Sequence, residues 1–76
     1  MKTKYFYYVA KWSDNHGRIG IVNALQAKEG VAHFLLHDNR SQIAYSLGIP
    51  LVNVAIVNHM EITKEEAELF KKNATL

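Results

Sequence analysis

The chain has 76 residues, a formal net charge of +2, 49% hydrophobic residues and no cysteine. That is one small domain, residues 1–76, without room for a deep cleft beside a full core, and it excludes disulfides and thiolate-ligated metals. So small a net charge demands no polyanionic partner.

No run approaches the roughly 18 apolar residues of a membrane span. The basic start is followed by a Tyr-rich run broken by Lys11, without the uniform apolar segment and small-residue cleavage site of a signal peptide. A soluble, cytoplasmic protein with no membrane partner is therefore expected. Lys2, Lys4, Lys11 and Arg18 outweigh Asp14 in the first twenty residues, which supports weak electrostatic steering and nothing more specific. A domain this small commonly gains stability from a second copy or another partner, so a homo-oligomer is a serious alternative to a monomer.

Lys4 to Trp12 is dense in Tyr, Phe, Val and Trp and ends in Ser13-Asp14-Asn15-His16-Gly17, residues that favour turns. A strand and hairpin loop are predicted. Alternation places Phe6, Tyr8, Ala10 and Trp12 on one face and Tyr5, Tyr7, Val9 and Lys11 on the other. Ile19 to Leu25 also alternates, with Ile19, Ile21 and Leu25 to one side, and gives an antiparallel second strand. In Gln26 to Asp38 the helical spacing of Ala27, Val31, Phe34 and Leu35 predicts a helix or helical turn, although Gly30 interrupts it and His33 to His37 also suit an extended chain. Asp38 or Ser41 then caps a helix carrying Ile43, Ala44 and Leu47.

Gln42 to Met60 fits two incompatible structures. As a helix-turn-helix, Ala44 lies inside a first helix, Gly48 turns, and Val54 and Val57 anchor a second helix begun by Pro50. The outward positions of that second helix would be Leu51, Val52, Ala55 and Ile56, none of which can hydrogen-bond a base edge. The preferred alternative ends a helix of about Arg40 to Leu47 at a left-handed Gly48, with Pro50 blocking continuation. Val52, Val54, Ala55, Ile56 and Val57 then form a strand covered on both faces.

Thr63 and Glu66 make a capping box for a short C-terminal helix with acids in its first turn and Lys71 and Lys72 in its last. The expected fold is α+β: a small three-stranded sheet, antiparallel at least in its hairpin, with helices on one face in the order β-β-α-β-α. The run KYFYYVAKW, the Gly-containing hairpin and NVAIVNHMEI resemble a family of small uncharacterised proteins of bacteria and their phages. Those begin with a Tyr-rich strand and end near an Asn-Val-Val-Ile-Leu-Asn strand. Tyr5, Phe6, Tyr7, Asn53, Val54, Ile56 and Asn58 carry the resemblance, and Gln26 to Asp38 departs from the shorter family pattern. What the resemblance implies is a phage or mobile-element setting, not an activity.

Chemistry is sparse. His33 and His37 have the i, i+4 spacing of a zinc pair, yet the chain lacks an H-E-x-x-H motif, so no metal is assigned. Ser13, Asp14 and His16 crowd one turn and cannot take up triad geometry. Gly17-Arg18-Ile19-Gly20 reads better as a hairpin than as a phosphate loop. An enzyme is not expected, and neither a cofactor nor a catalytic residue is assigned. The aromatic strand could stack single-stranded nucleic acid, but an exposed Tyr stripe suits a protein interface better. The leading expectation is a non-enzymatic protein-binding module, with nucleic-acid binding as the alternative. Its expected contacts are Tyr5, Tyr7, Lys11 and Trp12, joined by Asn58 and His59 if the third strand lies beside the first. The phage resemblance adds the specific version of a modulator or inhibitor of a host complex, such as a defence system.

Overall fold

The aromatic first strand becomes the centre of the sheet. A computed structural model describes the backbone of residues 2–74 and the side chains of residues 2–72. Its elements are β1 (Thr3–Ser13), β2 (Ile19–Glu29), α1 (Leu36–Leu47), a 3-10 turn (Leu51–Asn53), β3 (Val54–Ile62) and α2 (Lys64–Ala74). The sheet order is β2-β1-β3, and both pairings are antiparallel. The β-β-α-β-α order is the one the sequence predicts.

The hairpin follows from local chemistry. The Asp14 carboxylate accepts the His16 and Arg18 backbone N–H groups, each at 2.9 Å, and Arg18 Nε at 2.6 Å. Gly17 turns the chain at φ 79°, a conformation that costs an L side chain energy. From this turn the ladder runs unbroken from Ser13↔Ile19 to Thr3↔Glu29. The helical reading of Gln26 onward is therefore corrected: Gln26 to Glu29 is strand. Each of these residues has a β1 partner, and that pairing overrides a local helical spacing, until Gly30 ends the strand at φ 80°.

The expected caps Asp38 and Ser41 lie inside α1, which begins at Leu36 with no side-chain cap. Its first turn is tied to β2 instead. Gln26 Oε1 accepts the Leu35 N–H at 2.9 Å and a bond from Asn39 Nδ2, which also donates to the Leu35 carbonyl at 2.7 Å. At the other end Gly48 is left-handed (φ 66°, ψ 37°), as predicted, and Pro50 is extended.

Residues 54–62 are extended, so the molecule has no second helix of a helix-turn-helix. The strand starts at Val54, not Val52, because Leu51 to Asn53 close a 3-10 turn with the Asn53 N–H on the Pro50 carbonyl at 3.0 Å. Arg40 fixes that junction, donating from Nε to the Val54 carbonyl (2.9 Å) and from Nη2 to the Leu51 carbonyl (3.1 Å). Contrary to expectation, β3 is an edge strand and mostly exposed. A bulge between Val9 and Ala10 shifts its register, so Val9 faces Asn58 and Ala10 faces Ile56.

Phe6, Tyr8, Ala10, Phe34, Ile43, Ala44 and Val54 form the buried core between α1 and one face of the sheet, flanked by Trp12, Ala24 and Ile56. Phe34 sits at its centre, 6.0 Å from the Phe6 ring and 5.3 Å from the Tyr8 ring. The two helices do not share a face. Tyr7 alternates away from Phe6 and Tyr8, and its ring meets Phe70 of α2 edge-on at 5.4 Å. Tyr5 and Tyr7 need apolar cover on that side, and α2, only Thr63 away from β3, supplies it by burying Ala67. The predicted capping box is present, with the Thr63 N–H on Glu66 Oε1 (3.0 Å) and the Glu66 N–H on Thr63 Oγ1 (3.1 Å).

Candidate docking face

Among the described residues, the α2 side of the sheet is only half covered. The helix follows β3 at Ile62, whose register partner is Tyr5, so it shields the Tyr5 and Tyr7 end and stops short of the other. Beyond it the strands present Val9 and Lys11 from β1, Ile19 and Ile21 from β2, and Ala55 and Asn58 from β3. Register fixes their neighbours: Lys11 lies between Ile21 and Ala55, and Val9 between Asn23 and Asn58. Ile19 is 68% exposed and Ile21 73%, values far from those of buried strand isoleucines. A shallow depression of about 400 Å³ lies between Lys11 and the Ile19-Gly20-Ile21 edge. The result is an apolar patch with one ammonium and two amides, those of Asn23 and Asn58, within it.

The six predicted contact residues divide between the two faces. Tyr5, Tyr7, Lys11 and Asn58 share the α2 side, but only Lys11 and Asn58 are exposed there; the two tyrosines are half-buried, Tyr7 against Phe70. Trp12 lies on the opposite face, against the core and across Gly20, so tightly that a Cβ at Gly20 would stand 2.5 Å from the indole. His59 is also on the α1 side, where its ring stacks on Phe34 at 4.4 Å with a 12° interplanar angle. Ile19 and Ile21 are the residues that sequence reasoning missed. Their alternation was visible, but which side of the strand met the core was not.

Several of the remaining polar groups are occupied by structure, whereas Gln26 Nε2 is buried without a hydrogen-bond partner among the described residues. Desolvation pushes the Asp14 carboxyl up, but the Arg18 and His16 donors and the Arg18 guanidinium outweigh it and hold the group below the usual carboxylate range. Burial raises the Tyr8 phenol above its ordinary value. His33 precedes α1 and His37 lies within it, so the helical zinc pair does not form. Among the described residues no group of three or more His, Asp or Glu side chains is placed to hold a metal ion. No helix of the described residues is long and apolar enough to cross a membrane.

No protein-family model, curated protein or solved structure matches the chain.

Proposed function

We propose that this chain is a non-enzymatic protein-binding module that docks its partner on the uncovered half of the α2 side of the sheet. The observation that carries the reading is Ile19 and Ile21 standing in solvent beside Lys11. Apolar area on a rigid sheet supplies affinity when water is excluded, and a single ammonium within it selects an acidic group opposite. The matching partner surface is apolar with one carboxylate. Its binding acts by steric occupation or complex assembly, and the resemblance to phage proteins makes a host protein complex the partner to test first.

Nucleic-acid binding has less support. A stacking platform needs open aromatic faces, whereas Phe6 and Tyr8 are buried, Tyr7 is packed on Phe70, and His59 on Phe34. The test is capture of a stoichiometric partner from bacterial lysate by the tagged chain, compared with Ile21→Asp and Lys11→Glu. Both variants should fold and lose the partner. Retention by both, or saturable oligonucleotide binding followed through Trp12 fluorescence that weakens steeply with salt, would overturn the proposal.

A further inference from the structure

We infer that the outer edge of β2 pairs antiparallel with the same edge of a second copy of this chain, giving a six-stranded sheet across a two-fold axis. The inference rests on the edge, not on the docking face, and stands or falls separately from it.

The hydrogen-bonding phase of the hairpin carries the argument. Asp14 N–H donates to the Arg18 carbonyl at 2.9 Å, and Gly30 N–H donates to the Lys2 carbonyl at 3.2 Å. These two rungs mark hydrogen-bonded pairs at either end of an unbroken register, and such pairs alternate with non-bonded ones in an antiparallel ladder. The even-numbered residues of β2 therefore bond to β1. The N–H and C=O groups of Ile19, Ile21, Asn23, Leu25 and Ala27 point away from it, and no hydrogen bond engages them among the described residues.

An edge left bare is ordinarily protected by charge, proline or a bulge. The run Ile19 to Ala27 has none of the three. The contrast is β3, the other edge of the same sheet: Arg40 takes the Val54 carbonyl, a bulge breaks the middle, and Glu61 pairs with Lys4 at 3.6 Å. Protection is thus built into one edge and absent from the other.

A second copy fits this edge better than a foreign strand. A two-fold antiparallel pairing is self-complementary, each outward N–H meeting a carbonyl of the same strand in the other copy, and the uncharged run brings no like charges together. The surface area agrees. A folded 8.7 kDa chain is expected to expose about 4,700 Å², whereas this one exposes 5530 Å². The excess of about 800 Å² is shared between this edge and the uncovered half of the α2 side, and is surface that a partner can cover. A radius of gyration of 13.2 Å, against about 11.4 Å for a compact chain of this length, fits the same open sheet. With the axis normal to the sheet, the two docking faces lie side by side on one surface.

Sedimentation equilibrium of the full chain from micromolar to millimolar concentration should show a mass rising to twice 8.7 kDa. Asn23→Pro removes one outward N–H without touching the β1 ladder, and Ile21→Lys places a charge beside the axis. Each should weaken self-association at least tenfold while circular dichroism stays unchanged, and Tyr45→Lys on the outer side of α1 should have no effect. If Asn23→Pro fails to fold, Ala27→Pro, which removes another outward N–H of the same edge outside the docking face, decides. A single-chain mass at every concentration, or a folded edge variant that associates as strongly as the parent, would overturn the inference; capture of another protein's strand by a monomer would do the same.

Discussion

Arg40→Met tests the packing that makes residues 54–62 a strand. The guanidinium bonds the carbonyls of Val54 and Leu51 at 2.9 and 3.1 Å, across the junction where the 3-10 turn becomes β3, and Val54 is 1% exposed. Hydrogen bonds from a charged donor contribute about 1.5 to 3 kcal/mol each. Arg40 is only half-buried, so we place the pair together at about 2 to 4 kcal/mol. A domain of this length has about 4 to 11 kcal/mol of stability in all. Met preserves the aliphatic stem's packing and removes only the donors, so the loss reads the bonds. The thermal midpoint by circular dichroism should fall by about 10 to 25 °C. Arg40→Lys, which cannot span both carbonyls with a planar fork, should recover less than half of that. A midpoint for Arg40→Met within about 2 to 4 °C of the parent, the equivalent of the ~0.5 kcal/mol scatter of ordinary surface changes, would refute the reasoning.

Gly20→Ala places a Cβ 2.5 Å from the Trp12 ring. The overpacking cost of about 1 to 3 kcal/mol should exceed the backbone-entropy gain of about 0.5 to 1 kcal/mol, with a red-shifted tryptophan emission as the ring moves outward. Asp14 titrates low in the folded chain, so its stabilising effect is present above the unfolded carboxyl pKa of about 3.9 and is lost as pH falls through the lower folded value. Asp14→Asn should therefore be less stable than the parent at neutral pH and show a flatter acid limb in urea titrations read between neutrality and pH 2. Phe70→Ala should bare Tyr7 and cost about 3 kcal/mol or less, since Phe70 is half-buried and full-core Phe→Ala changes cost about 3 to 5. Urea unfolding measures the loss, and the Tyr7 ring resonances should lose the ring-current shift that the Phe70 ring gives them.

What was legible in the sequence was local. The Asp14–Gly17 turn, the Gly48 stop and the Thr63–Glu66 box each depend on side chains within a few residues, and each formed as read. Gln26 to Glu29 was misread because its conformation is set by β1, twenty or more residues earlier, and not by its own apolar spacing. The placement of α2 was hidden for a related reason. Tyr5 and Tyr7 looked like a free stripe until the helix that covers them was in place. Arg40 gave no signal at all, since its two acceptors are carbonyls, and any sequence has those. The open face was half legible: alternation grouped Ile19 with Ile21, but only the order β2-β1-β3 puts Lys11 between Ile21 and β3.

That order is also what the functional reading requires, and nuclear Overhauser contacts on the labelled chain measure it directly. Lys11 should show cross-strand contacts to both Ile21 and Ala55, and Val9 to both Asn23 and Asn58. Sequential amide-to-amide contacts running through Val54 to Val57, with Lys11 touching β2 alone, would describe a helix in place of β3 and contradict the account.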